Sequence, residues 1–407
     1  MPDAIVIGGG PAGMFAALTA AKRGRSVLLL DGNDRLGHKL SITGKGRCNV
    51  TNNCGTDTLM QNIPRNARFL YSAFSKCSPQ DVMAFFEDEG VPLKTERGRR
   101  VFPQSDKAAD IVNALLRAMQ REGVKIRLNS KVSRLLIDDG VCSGVQLASG
   151  ETIPAERVLL AAGGCSYPRT GSDGSGLRLA KQAGHTVQTP LPSLIPLETA
   201  EDDPKLMQGL SLKNVTLTVL RGNKEIWSEM GEMLFTHFGV SGPLVLSASS
   251  RMDTAKPADY TLRIDMKPAL TPEQLDQRLQ RDFAASQNKS ISNTLRALLP
   301  ASMVPVMLRF AGIDPDKKVH DITKGERLAL RDAVKGYTLH VSGVRPIAEA
   351  IVTRGGVSVR EVSPNTMGSK LVQGLYFAGE ILDADAYTGG YNLQIAFATG
   401  FTAGENL

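Results

Sequence analysis

The stretch Asp3–Asp34, DAIVIGGGPAGMFAALTAAKRGRSVLLLDGND, leaves a chain of this kind few folds to choose from. AIVIG has the length and unbroken apolarity of a buried strand. PAGMFAALTAAKRG is an alanine-rich helix stopped by Gly24, and SVLLLD is a second buried strand. Between strand and helix, Gly8, Gly10 and Gly13 spell G-x-G-x-x-G. Each glycine answers one demand: a tight turn, room for backbone to approach a pyrophosphate, and close packing of helix on strand. The helix that opens at Pro11 and Ala12 turns free N–H groups and a positive dipole end toward phosphate. Asp31 closes the second strand about twenty residues beyond Gly8, where a carboxylate bonds an adenosine ribose. The unit is a dinucleotide-binding βαβ; NAD and FAD share it, so it does not choose between them.

At 407 residues the chain exceeds the usual size of one core, and two or three domains are expected. Its net charge of +7 is mild, and its basic residues are scattered except in ERGRR, Glu96–Arg100. That run reads as a solvated face, because aromatic and basic residues do not interleave as stacking on bases requires, so a nucleic-acid partner is not expected. Five irregularly spaced cysteines argue against a disulfide framework and for a reducing compartment. The apolar N-terminal run follows an aspartate and is interrupted by glycines, unlike a secretory signal, and no other stretch is apolar enough for a membrane span. A cytoplasmic location with no membrane partner is expected.

A second stretch, SITGKGRCNVTNN at Ser41–Asn53, has apolar residues at neither helical nor strand spacing. It fails as a P-loop, since Gly46 follows Lys45 where Ser or Thr is needed and Lys39 holds the place of the first glycine. A redox pair of Cys48 and Cys54 has too wide a spacing, and zinc would need a second ligand pair. It fits a cofactor loop: small residues bring backbone to a ligand, Lys45 and Arg47 balance phosphate charge, and Asn49, Thr51 and Asn52 offer hydrogen bonds.

Several blocks then occur in one order: GKGRCNVTN at Gly44–Asn52, FPQS at Phe102–Ser105, GGCSYPRTGSDGSG at Gly163–Gly176, LFTHFGVSGP at Leu234–Pro243, TMGSK at Thr366–Lys370 and GEILDADAYTGGYNLQIAFATG at Gly379–Gly400. With them the chain resembles, end to end, the BaiN-like family of FAD flavoproteins. The resemblance implies an α/β fold: a Rossmann-like, glutathione-reductase-like FAD-binding domain with an inserted β-barrel-like domain and a helical subdomain. The expected division is 1–190 and 345–407 for the FAD-binding parts, 191–270 for the β-rich insert and 271–344 for the helical subdomain and return. Helices are also expected from Ser78 to Gly90 and across KAADIVNALLRAMQREG.

In such enzymes FAD is non-covalent and spans the domain. The candidate contacts are Gly8, Gly10, Pro11, Ala12 and Gly13 at the pyrophosphate, Asp31 and Gly32 at the ribose, and Lys39, Ser41, Gly44, Gly46, Arg47, Cys48 and Asn49 along the cofactor. Val132 is placed near adenine, with Ala162 and Gly163 at the returning turn. At the flavin end Gly379 precedes Glu380; Glu380 or Asp385 would hold the ribityl chain, and Gly390, Tyr391 and Asn392 would meet flavin N1 and the C2 carbonyl. No second strand-bound G-x-G-x-x-G exists for NAD(P)H, which is expected to visit transiently as electron donor. The family includes a bile-acid enone reductase and an aminoacetone oxidase. The leading expectation is therefore hydride transfer from NAD(P)H through flavin to an activated C=C bond of a small organic substrate. Amine oxidation with O2 is the alternative, and a flavin-binding sensor or RNA-associated flavoprotein a third. The pocket candidates are Arg47, Cys48, Tyr167, His237 and Tyr391, none assigned a catalytic step.

Overall fold

Five short segments, the inner ones apolar, pair in parallel in the order Leu375–Phe377, Arg157–Leu160, Ala4–Ile7, Val27–Leu30 and Lys125–Arg127. The computed structural model describes residues 1–407. Ala4–Ile7 lies at the centre of this sheet and is buried along its length, which is why it reads as a continuous apolar run rather than an alternating one. The helix Pro11–Lys22 leaves its C-terminal end, and the helix Tyr391–Gly404 packs across Pro11–Lys22. A Cβ on Gly400 would stand 2.4 Å from the Ala12 carbonyl oxygen, so the two backbones touch where they cross. Around them Phe15, Phe86 and Phe397 make edge-to-face contacts, with Phe15 and Phe397 centroids 5.3 Å apart. Phe86 comes from Pro79–Asp88, a helix opened by a capping box in which Ser78 and Asp81 each bond the other's backbone N–H.

The chain divides into two units, Met1–Ser193 with Pro346–Leu407, and Leu194–Arg345. The first also carries a meander, Val132–Asp138, Val141–Leu147 and Thr152–Pro154, and a small antiparallel sheet ordered Thr51–Asn52, Arg100–Pro103, Leu93–Glu96.

The second unit is a closed six-stranded barrel ordered Leu197–Thr199, Gly239–Ser241, Lys224–Thr236, Ser211–Arg221, Tyr260–Asp265 and Tyr337–Val344. Pairing of Leu197–Thr199 with Tyr337–Val344 closes it and leaves no edge. Tyr260, Leu262 and Ile264 alternate inward along one strand, as do Tyr337, Leu339 and Val341 along its neighbour. Four helices, Pro272–Ala284, Ile291–Leu295, Val304–Phe310 and Lys324–Lys335, intervene between these strands. They bury Leu275, Leu279, Leu330 and Val334 in the same core as Leu217 and Leu262. No helix is long and apolar enough to cross a membrane.

Candidate active site

The site begins where Ala4–Ile7 turns into Pro11–Lys22. Gly8 has φ 108°, and a Cβ there would lie 2.5 Å from the Ala161 carbonyl oxygen, just before Ala162 and Gly163. A Cβ on Gly13 would lie 1.9 Å from the Gly8 carbonyl oxygen, so helix and strand are in backbone contact. Gly10 differs: nothing lies within 4 Å of where its Cβ would point. Two glycines thus serve internal packing, while the third keeps clear the space at the helix start that a phosphate would use. Asp31 is buried, and its carboxylate accepts from the N–H groups of Gly9 (2.6 Å) and Asn33 (2.8 Å). It braces the glycine turn from the end of the second strand, and Gly32 follows it beside Lys131. Val132 is buried at the first position of the meander.

Two ion pairs hold the segment after Leu375–Phe377. Glu380 accepts from Lys39 Nζ (2.7 Å), Ser166 Oγ (3.0 Å) and the Thr353 N–H (2.8 Å). Asp385 is fully buried and accepts from Arg65 (2.5 and 2.7 Å) and Ser193 Oγ (2.7 Å). Both carboxylates proposed for a ribityl chain are therefore already engaged with protein partners. Sequence reasoning named Lys39, Glu380 and Asp385 but missed Arg65, Ser166, Ser193 and Thr353, which carry no local signal. Gly379 sits at φ 77° and its N–H bonds Thr399 Oγ1 (2.9 Å), fixing strand end to helix.

The loop 41–53 departs from expectation in three ways. It begins inside a helix, His38–Gly46, broken where Thr43 turns extended and Gly44 and Lys45 enter the left-handed region. Ser41 Oγ bonds back to the Gly37 carbonyl, and Asn49 Oδ1 accepts from the Val101 N–H. Gly46 has φ 83° and open space beside it. Arg47 does not stand ready for phosphate: its guanidinium pairs with Glu96 and Asp106 and lies 4.1 Å from the Phe102 ring centroid. Cys48 is not a reactive thiol. It is buried, and burial pushes its pKa up to about 12, outweighing the Thr43 hydrogen bond that would lower it. All five cysteines are free, Cys48 and Cys54 included. At about pH 8 an alkylating reagent should leave Cys48 unmodified in the native protein and label it only after unfolding. Peptide mass spectrometry checks this, and rapid native labelling would put a thiolate back in the site.

The other candidates fall in different places. Tyr167 is half-buried with φ 53°, its N–H on the Ala348 carbonyl (3.2 Å). His237 belongs to the barrel unit, where it is exposed at the turn between Lys224–Thr236 and Gly239–Ser241 with its ring edge-on to Phe238. Tyr391 opens the last helix and is buried. Gly390 before it has φ 99°, and a Cβ there would lie 2.3 Å from the Thr51 carbonyl oxygen, so Thr51–Asn52 abuts the helix start. Gln394 is the first residue whose N–H bonds within the helix, to Gly390 (3.0 Å); the N–H groups of the first turn point out of its end. Asn392 turns its amide back to Ala386, at 2.8 and 2.9 Å, and thereby fixes the approach loop.

This donor set fits a flavin dinucleotide: open space at Gly10, a helix N-terminus at Tyr391, and beside it a buried acceptor without a protein partner, Asn52 Oδ1. The sequence model described as HI0933-like protein Rossmann domain matches residues 2–406. The chain belongs to this HI0933-like family. Among relatives of this HI0933-like protein is a 3-dehydro-bile acid delta(4,6)-reductase of Clostridium scindens. It is 30% identical over 404 residues, covering 98% of this chain and 97% of the relative. Another is a ribosomal RNA dihydrouridine synthase of Escherichia coli, 30% identical over 406 residues, covering 100% and 98%. One of the same name from Haemophilus influenzae is 31% identical over 402 residues, covering 98% and 96%. A solved structure of similar fold is 3-ketosteroid delta1-dehydrogenase from Sterolibacterium denitrificans, with TM-score 0.51, 13% identity and coverage of 99% and 98%. The HI0933-like protein is a flavin-dependent oxidoreductase.

Proposed function

We propose that the chain is a reductase that passes hydride from NAD(P)H, by way of bound FAD, to a carbon–carbon double bond conjugated to a carbonyl. One observation carries this reading: relatives named for a bile acid and for ribosomal RNA match the whole chain equally well, and both names denote saturation of a C=C bond. NAD(P)H loses a hydride and becomes NAD(P)+. The alkene gains that hydride at its β carbon and a proton from solvent at its α carbon. When bound, FAD supplies the two-electron relay between them.

The chain's own part is positioning and charge. Gly10 would admit the pyrophosphate, and Asp31 holds the glycine turn. The helix N-terminus at Tyr391 favours negative charge on the reduced ring system. Lys39–Glu380 and Arg65–Asp385 fix the segment leading to that helix.

A second substrate reading, RNA, has its own support. Arg97 and Arg99 are exposed on the turn that also carries Arg100, within the run that composition alone assigned to a solvated face. Asn52 Nδ2 donates both to the Gly98 carbonyl (3.0 Å) and to the Gly389 carbonyl (2.9 Å), so one amide joins this cationic turn to the start of the flavin-facing helix. Cations there suit a substrate with a phosphate backbone.

Anaerobic stopped-flow absorbance tests both readings. Bleaching of the yellow protein by NADH or NADPH, slow reoxidation by air and fast reoxidation by a conjugated enone or a uridine-containing ribosomal transcript is the expected result. Bleaching by an amine instead, with prompt reoxidation by air, would replace the reductase by an oxidase. For the RNA reading, combined Arg97→Ser, Arg99→Ser and Arg100→Ser should lower the slope of log affinity against log salt by about 2. Enone turnover should stay unchanged. An unaltered slope would return the choice to a small-molecule substrate.

A further inference from the structure

Asn52 is 1% exposed, and the direction of its amide is decided by its neighbours. Nδ2 faces two carbonyl oxygens, those of Gly98 and Gly389. Turning the group over would set oxygen against oxygen twice. Oδ1 is thereby fixed in place, buried, and without a hydrogen-bond partner. A buried acceptor left unpaired is costly and calls for a donor from outside the chain.

Its location says which donor. Gly389 leads directly into Gly390 and the helix start, and Thr51 is locked to the same helix through Thr51 Oγ1 and Gln394 Oε1 (2.7 Å). The pyrimidine ring of a flavin carries two acceptors, N1 and the C2 carbonyl, and next to them round the ring a donor, N3–H. Backbone N–H groups at a helix N-terminus answer the acceptors but cannot answer the donor. An acceptor for N3–H has to stand beside the helix start, and Asn52 Oδ1 is a buried acceptor there with nothing to accept.

We propose that Asn52 is the positioning residue for the flavin pyrimidine edge, its Oδ1 accepting the N3–H while the Tyr391 helix start serves N1 and the C2 carbonyl. The proposal rests on the reading that flavin occupies this site. It gives Asn52 a double task, since the same amide that orients the ring also holds the Arg97–Arg100 turn.

The test uses the full chain loaded with 15N-labelled FAD. In the wild-type holoprotein the N3 proton should exchange slowly with solvent. In Asn52→Ala exchange should be fast, and FAD affinity about tenfold weaker. N3-methyl-FAD, offered to the wild-type protein, needs no variant to fold and should bind at least tenfold more weakly than FAD. Equal protection of N3–H in wild type and Asn52→Ala, or equal affinity for FAD and N3-methyl-FAD, overturns the assignment. A wild-type protein that takes up no FAD at all overturns the underlying site reading instead.

Discussion

Gly13→Ala should yield a colourless, destabilised protein, whereas Gly10→Ala should yield a stable one that binds FAD poorly. The two positions lie three residues apart in one motif, yet their surroundings are opposite. At Gly13 a methyl group would stand 1.9 Å from the Gly8 carbonyl oxygen, a backbone atom with no rotamer to change. Helix and strand must move apart, and overpacking of that kind costs roughly 1–3 kcal/mol, at the upper end where backbone is struck. The shift also removes the helix start from the turn braced by Asp31. At Gly10 the backbone, φ −80° and ψ −179°, suits any residue, and the methyl would enter open space. Unfolding without FAD should therefore change by about 1 kcal/mol or less, the size of a helix-cap effect. Thermal unfolding with and without added FAD, and titration of the two apoproteins with FAD, separate the two cases. Equal loss of apoprotein stability at both positions would refute the distinction between packing and ligand glycines.

Arg65→Ala should cost about 3–5 kcal/mol, because it strands a charge. Asp385 is 0% exposed, and after the substitution the Ser193 hydroxyl would be the remaining partner among those at hydrogen-bond distance. At roughly 2–4 °C per kcal/mol for a unit of this size, the melting temperature should fall by about 10 °C. The double variant Arg65→Met with Asp385→Leu removes both charges and should recover most of the loss. Calorimetry on the three proteins decides it. A double variant as unstable as Arg65→Ala would mean that shape, not the uncompensated carboxylate, sets the cost.

The parts of the fold that sequence made legible are those whose cause is local. The βαβ unit is written in G-x-G-x-x-G and two apolar runs, and the helix Pro79–Asp88 in Ser78 with Asp81 three residues on. What stayed hidden depends on partners far along the chain. Arg47 looks like a phosphate ligand until Glu96 and Asp106, 49 and 59 residues away, are seen to neutralise it. Arg65 looks like an ordinary loop cation until Asp385 appears opposite it, 320 residues on. The short helices Thr56–Gln61 and Tyr71–Lys76 have too few turns to establish a period. Asn52 was legible only as a group able to form hydrogen bonds; that one of its atoms lacks a partner is a property of the folded neighbourhood.

The crossing of Pro11–Lys22 by Tyr391–Gly404 also sets a timetable. A ribosome makes the dinucleotide turn long before the helix that covers it. Leu194–Arg345, being continuous, can close its barrel while synthesis is still under way. The first helix must wait, one apolar face bare, until Gly404 has emerged. For that interval the nascent chain is a natural client of chaperones that hold apolar surface.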